Sequence, residues 1–400
     1  MTVSVTWGVG SGLDGREAVF NALQQAYSLV SPSTPREGRE TSRSERRPAL
    51  AIVFISQEYD VEQTLASLKT ALGNTPVWGF STVRPLTHQG DHPRSVVVAL
   101  FTSPDIKARI NWFADLGRDH QIPRQITALK EEWSTENPPI QGVMLAMDGI
   151  TGGSQEVINA LQGLHLPVAG GLASGDYQAG KTWQIGGQAG CSSLSALLLS
   201  GRFTLGVGMA HAWRPLGMQY TVTRSSDLWV QGLDGSTPAE VYQKIFNYPA
   251  REWAFPPLTS MARLYPFLLP SSSGDSRLAA PLRVEVDGSF RMNIPVQQGQ
   301  TVQISIGNPQ ACQTAMINAC QQALDGLQGA KPLAAVLMVD VAWQMLLQNR
   351  LDAVIESARS VLGELPMVGA STLGQVGGAI DHPTLLNNSV TVAILGERER

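Results

Sequence analysis

The heptapeptide Pro366-Met367-Val368-Gly369-Ala370-Ser371-Thr372 decides how this chain is read. It is a short apolar run that ends in glycine and hydroxyl residues, the pattern of a buried strand that turns at its carboxyl end. Two earlier segments repeat it: Pro76-Val77-Trp78-Gly79-Phe80-Ser81-Thr82 and Pro167-Val168-Ala169-Gly170-Gly171-Leu172-Ala173-Ser174.

Working outward, each copy follows an apolar strand and a helix. Residues 50–55 lead to a helix from Asp60 to about Leu72, with Asp60 as its cap, Gln63 at the capping-box position and Leu65, Leu68 and Leu72 on one face. Residues 142–147 lead to a helix that Ser154 would cap, with Val157, Ile158, Leu161 and Leu164 on its apolar face. Residues 333–339 precede the stripe Leu351, Val354, Ile355, Ala358, Val361 and Leu362. Later strands at 96–101, 194–199 and 390–395 close the three copies, and the first and third share a loop tripeptide, Asp91-His92-Pro93 and Asp381-His382-Pro383.

Each copy therefore reads β-α-β-β, with the helix-linked strands parallel and the last strand antiparallel. The fold class is α/β (mixed α+β), with repeated units forming mixed sheets flanked by helices in two packed halves, 1–212 and 213–400. Around the units, residues 2–7 read as a strand with Val3, Val5 and Trp7 on one face. Asp14 and Glu17 read as a capping pair before the stripe Val19, Phe20, Leu23, Ala26 and Tyr27. Thr237-Pro238-Ala239-Glu240 is a capping box, 283–294 a hairpin across Asp287-Gly288, and 301–306 a strand after the Gln298-Gly299 turn. Residues 228–233 form a short strand, 249–280 an irregular stretch, and 31–48, rich in Ser, Pro, Arg and Glu, a mobile surface loop.

At 400 residues and 43% hydrophobic, the chain has material for more than one core. A net charge of −4 with no basic stripe argues against nucleic acid as a partner. Residues 1–8 lack the features of a secretory signal, and the longest apolar stretch, 332–347, is broken by Asp340 and Gln344, so no membrane span is expected. Cys191, Cys312 and Cys320 form no CxxC pair, which fits a reduced, cytoplasmic setting.

Motifs of chemistry are sparse. Gly8-Val9-Gly10-Ser11-Gly12 lacks the spacing and acidic partner of a dinucleotide fingerprint, and neither a P-loop nor a GxSxG elbow occurs. The six histidines are scattered, with His92 and His382 at equivalent loop positions. Asp148, Asp176 and Asp340 are acid–base candidates only if the fold brings them together.

The ordered blocks resemble the FIST family, a sensory module with N-terminal and C-terminal halves. In the first half the resemblance rests on Gly79-Phe80-Ser81-Thr82, on Gly170-Gly171-Leu172-Ala173-Ser174-Gly175-Asp176, on residues 196–201, on Trp213-Arg214-Pro215-Leu216-Gly217 and on Val222-Thr223. In the second it rests on Leu233-Asp234-Gly235, Pro238-Ala239, Tyr242, Tyr265-Pro266, Asp287-Gly288-Ser289, Ile294-Pro295, Gly299, Gly369-Ala370-Ser371-Thr372-Leu373-Gly374-Gln375 and Asn387 or Asn388. The resemblance implies a receptor for small ligands, amino acids among those proposed, coupled to a separate kinase, cyclase or methyl-accepting protein. Some members resemble haem-binding nitric oxide sensors. This chain departs from the family where Gly-Glu often follows the Ser-Thr pair, having Arg84-Pro85 and Gln375. It departs again where a Cys followed by an Arg is frequent, having Asp340-Val341-Ala342-Trp343-Gln344.

The candidate ligand contacts are Gly79, Ser81 and Thr82 in the first copy, Gly170, Gly171, Ser174 and Asp176 in the second, and Gly369, Ser371, Thr372, Gln375 and Asn387 in the third. Glycine admits close backbone approach, and hydroxyls both donate and accept, which suits a carboxylate, while Asp176 would meet an ammonium. Trp78 and Trp183 could wall such a pocket. The competing structural reading is that the glycines form turns and the Ser-Thr pairs cap backbone. Two other functions are weighed: a haem-based gas sensor with an axial His or Cys, and a hydrolase with Ser81 or Ser371 as nucleophile. No catalytic or metal-binding residue is assigned. The sensory reading requires the three corners to line a common hollow.

Overall fold

A computed structural model describes residues 3–29, 47–117, 121–175, 180–270, 277–348 and 350–398. Asp176 and nearly all of the expected loop at 31–48 lie outside the described residues.

The first unit runs β1 (Ser4–Gly10), α1 (Gly15–Ser28), β2 (Leu50–Ser56), α2 (Val61–Leu72), β3 (Val77–Thr82), the hairpin β4 (Pro85–Thr87) and β5 (Gly90–Asp91), and β6 (Val96–Thr102). The second repeats the order: β7 (Ile106–Phe113), α3 (Ile122–Thr135), β8 (Ile140–Asp148), α4 (Ser154–Ala160), β9 (Val168–Ala173), the hairpin β10 (Gln184–Gly186) and β11 (Ala189–Gly190), and β12 (Leu194–Gly201). The third begins with β13 (Phe203–His211) and is then interrupted. The interruption carries β14 (Trp213–Ser226), β15 (Trp229–Leu233), α5 (Pro238–Phe246), α6 (Leu258–Met261), β16 (Phe267–Leu269), β17 (Arg277–Ala279), β18 (Pro281–Val284), β19 (Phe290–Met292) and β20 (Thr301–Gly307). The unit resumes with α7 (Pro309–Asp325), β21 (Lys331–Asp340), α8 (Val341–Leu346), α9 (Asp352–Leu362), β22 (Met367–Thr372), the hairpin β23 (Gly374–Ala379) and β24 (His382–Leu386), and β25 (Ser389–Glu397).

The fold is mixed α/β. The helix-linked pairs β2–β3, β8–β9 and β21–β22 are parallel, and β6, β12 and β25 return antiparallel, as the sequence pattern requires. The sequence pattern did not reveal an exchange of hairpins. β4–β5 extends the sheet of the third unit, β23–β24 that of the second, and β10–β11 that of the first. Each sheet thus has six strands, two of them donated. The insertion forms its own seven-stranded sheet, ordered β17-β16-β20-β14-β15-β19-β18. β13 lies before the expected division at residue 212 yet hydrogen-bonds along its whole length to β25.

The inner faces of the three unit sheets share one core that includes Phe54, Phe80, Met144, Leu197, Phe203 and Met338. Their outer faces pack against helices. Gly8 and Gly10 are contacts of this kind: a Cβ at either would collide with the carbonyl oxygens of Ala22 or Ala18 on α1, and Gly206 and Gly208 meet Ala323 and Ala319 of α7 in the same way. The glycine-rich start is therefore a helix-packing groove.

Local signals mostly hold. Asp60 caps α2 through the Gln63 N–H, Asp14 caps α1, and Thr237 with Glu240 forms a complete capping box. Ser154 is not a cap. Gly153 occupies that position with φ 86°, so Ser154 starts the helix and its hydroxyl donates to the Asp148 carbonyl. Phe20 and Tyr27, assigned to the buried stripe of α1, are exposed at 66% and 46%. Among the described residues no helix is long and apolar enough to cross a membrane.

Candidate functional site

The three glycine-hydroxyl corners come together at the junction of the unit sheets. Ser81 Oγ donates to the Ser174 carbonyl at 3.0 Å and accepts from the Trp183 N–H at 2.9 Å. Ser174 Oγ donates to the Ser371 carbonyl at 2.6 Å and accepts from the Val83 N–H at 3.0 Å. Thr82 Oγ1 donates to the same Ser371 carbonyl at 2.7 Å, and Thr372 Oγ1 accepts from Gln375 Nε2 at 2.8 Å. All five hydroxyl residues are buried. The hydroxyls of Ser81, Thr82 and Ser174 bond between units, each such bond stabilising by about 1 kcal/mol, whereas those of Ser371 and Thr372 bond within the third unit.

The glycines have protein partners too. A Cβ at Gly79, Gly170 or Gly369 would collide with the carbonyl oxygen of Val53, Leu145 or Leu337 on the neighbouring parallel strand. One at Gly171 would strike Thr372, Met338 and Phe80, residues of the other two sheets. The parallel registers pair Thr82, Ala173 and Thr372 with Ser56, Asp148 and Asp340, so Ser174 falls one residue beyond the Thr82 and Thr372 positions. Gln375 bonds Asp340 and Ser389, Asn387 reaches the Leu278 carbonyl, and Trp78 donates to the Ser195 carbonyl. Trp183 is half-buried against the helix-side core of the first unit.

Open crevices are expected where parallel strands end, and the three units treat theirs differently. In the first, the Tyr59 hydroxyl ties the Gly12 carbonyl at 3.2 Å to the Arg94 carbonyl at 2.9 Å. In the third, Arg263 of the insertion enters beside Asp340, with 3.7 Å between Nη2 and Oδ1, and donates to the Leu373 carbonyl at 3.0 Å. Asp340 also accepts from the N–H groups of Ala342 and Asn388 and from Gln375. Burial raises its pKa, with Arg263 the foremost of the groups pulling it back.

The second crevice is left open as a cavity of about 470 Å³, floored by Asp148 and the loop after it and walled on the far side by the insertion. That volume falls in the range that holds small molecules. The Asp148 carboxylate is satisfied locally by the Ile150 N–H and the hydroxyls of Thr151 and Thr182, which fixes the loop. Gly152 and Gly153, at φ 90° and 86°, let the loop turn back into α4. The aliphatic lining is Leu116, Ile122, Ile150, Leu172, Leu228, Leu282 and Leu385. Arg291 and Asn293 approach from β19 and the residue after its end, Asp227 from the β14–β15 turn, and Glu156 from α4. Arg291 makes no ion pair or side-chain hydrogen bond among the described residues. Asn293 Nδ2 is buried without a partner, whereas its Oδ1 accepts from the Ala280 N–H at 2.8 Å.

None of the described residues expected to hold a ligand reaches this lining, although Leu172, the neighbour of Gly171, and the acid–base candidate Asp148 do. Asp148 and Asp340 end different strands of different sheets. Ser81 and Ser371 have no histidine among their hydrogen-bond partners; Ser371 Oγ donates to Gln344 at 3.4 Å. The lining contains no His, Cys or Met, and no group of three or more His, Cys, Asp or Glu among the described residues could hold a metal. The Asp-His-Pro tripeptides are not equivalent: Asp91 lies in β5, whereas Asp381 precedes β24 and pairs with His165 at 2.6 Å. Sequence reasoning missed Arg291 and Asn293. The available signal was their spacing of two along a strand, which places both on one face, opposite the buried Met292.

Comparison with known proteins agrees with the resemblance. The FIST N domain model matches residues 49–236, and the FIST C domain model matches residues 238–378. Among curated proteins none matches. Solved structures similar to this chain include a cyanuric acid hydrolase from A. caulinodans, at 8% identity over 100% of both chains with a TM-score of 0.36. A chorismatase is similar at 9% identity over 99% of both chains, with a TM-score of 0.34. Likenesses this weak carry no weight for fold or activity.

Proposed function

The chain belongs to the FIST family of small-ligand-binding signalling domains, and from that premise we propose that it is a sensor whose ligand, an amino acid or related metabolite, occupies the cavity between the second unit and the insertion. One observation carries this reading: a cavity of about 470 Å³ that combines an aliphatic wall with an arginine and a buried amide that are both unpaired among the described residues. A buried amide donor of that kind is costly unless something meets it. Arg291 and Asn293 suit a carboxylate, and Asp227 and Glu156 suit an ammonium group.

Two parts of the chain line the cavity, so an occupant touches both and changes how firmly they hold together. The output is carried by a separate partner, such as a histidine kinase or cyclase. A cytoplasmic setting is supported by three cysteines that form no disulfide. The catalytic alternative has little to draw on, because the buried serines lack a base.

Calorimetry of the purified protein against single amino acids and related metabolites tests the proposal. The expected result is saturable binding that is lost when Leu282→Trp fills the cavity. Saturable binding untouched by that substitution would refute the location, and no binding across the panel would refute the ligand class.

A further inference from the structure

Arg291 and Asn293 bring two side chains with hydrogen-bond donors to the cavity lining. The Asn293 side chain is held in one orientation, because its Oδ1 accepts the Ala280 N–H, a bond its amino group could not make. Its Nδ2 is buried and finds no acceptor among the described residues, and Asn293 belongs to the cavity lining. Arg291 stands two residues earlier on the same face, and Met292 between them points into the core. A guanidinium beside an amide donor matches a group that only accepts, and a planar carboxylate fits the fork. The remaining charged groups of the lining, Asp148, Glu156 and Asp227, are all acidic. One cation among three carboxyl side chains disfavours a dianion such as phosphate. The seven leucine and isoleucine side chains of the lining require an apolar body behind the charge.

We propose that the cavity selects aliphatic carboxylates, with Arg291 and Asn293 as the residues that recognise the carboxylate and Leu116, Ile122, Leu172, Leu228, Leu282 and Leu385 receiving the hydrocarbon. This rests on the reading of the cavity as the ligand site and adds what the ligand must carry.

A matched set of probes tests it: 4-methylpentanoate, leucine, leucinamide and inorganic phosphate, each titrated into the full chain by calorimetry. Both carboxylates are expected to bind, and leucinamide and phosphate are not. Arg291→Gln should weaken 4-methylpentanoate roughly ten- to a hundredfold, the usual worth of a hydrogen bond to a charged group, with partial recovery in Arg291→Lys. Leu282→Trp should abolish binding of both carboxylates. Leucinamide binding as tightly as leucine, phosphate outcompeting the carboxylates, or an unchanged affinity in Arg291→Gln would overturn the carboxylate assignment. In those cases sensitivity to Leu282→Trp would leave the cavity as the ligand site. Binding of the carboxylates that survives both substitutions would overturn assignment and location together. Failure of either carboxylate to bind at millimolar concentration would overturn the assignment.

Discussion

Arg263→Met removes the cation that the insertion places in the third crevice while keeping a side chain of similar length. Asp340 is fully buried and Arg263 is 8% exposed, so the variant leaves a carboxylate without its counter-charge and the Leu373 carbonyl without its donor. Breaking a buried pair from one side costs about 3–5 kcal/mol. The cost depends on pH, with a definite sign. Burial already raises the pKa of Asp340 above its ordinary value, and Arg263 opposes that rise. A carboxyl group with a higher pKa folded than unfolded, about 3.9 when unfolded, holds its proton more tightly in the native state. Stability therefore falls as the pH rises through the folded pKa. Removing Arg263 raises that pKa further, so the deficit of the variant is largest at neutral pH and shrinks on acidification. Urea unfolding followed by tryptophan fluorescence, at about pH 5 and about pH 8, measures both quantities. Adding Asp340→Asn to Arg263→Met should recover part of the loss, because the orphaned charge is gone. A loss below about 1 kcal/mol, or one equal at the two pH values, would refute the buried pair as drawn.

Ser174→Ala removes hydroxyl bonds to Ser371 and Val83 at the three-sheet junction and should cost about 1–3 kcal/mol. Ligand affinity measured by calorimetry on the folded variant should stay unchanged, and a selective loss of affinity would return the corners to the binding site. Gly208→Ala drives a methyl group into the Ala319 carbonyl and should destabilise by about 1–3 kcal/mol or more in a denaturant titration. Stability equal to that of the parent would contradict the close seating of α7 on β13. Burial pushes the thiols of Cys312 and Cys320 up to about 12, so alkylation at mildly alkaline pH followed by mass spectrometry should leave both untouched until the chain is unfolded.

The repeat was legible because its signals are local. Strand, cap, stripe and Gly-hydroxyl corner recur in order, and each is decided by neighbours within a few residues. The hairpin exchange was not, because β4, β10 and β23 find partners in sheets built from distant sequence, and nothing in Pro85, Gln184 or Gln375 states which edge they will join. Convergence of the corners was a requirement of the sensory reading and was not legible in any one copy. Nor was their burial, because the bond from Ser174 to Ser371 spans 197 positions. Arg291 and Asn293 escaped notice for a related reason. On a short strand in an insertion they resemble surface polar residues until the second unit is laid against them.

The location of the ligand is tested most directly by a crystal structure of the protein grown with 4-methylpentanoate or leucine. Electron density for the carboxylate within hydrogen-bonding reach of Arg291 and Asn293, with its hydrocarbon against Leu282 and Leu385, is the predicted result. Density against Ser81, Ser174 or Ser371, or a ligand held on another surface while this cavity stays empty, would contradict it.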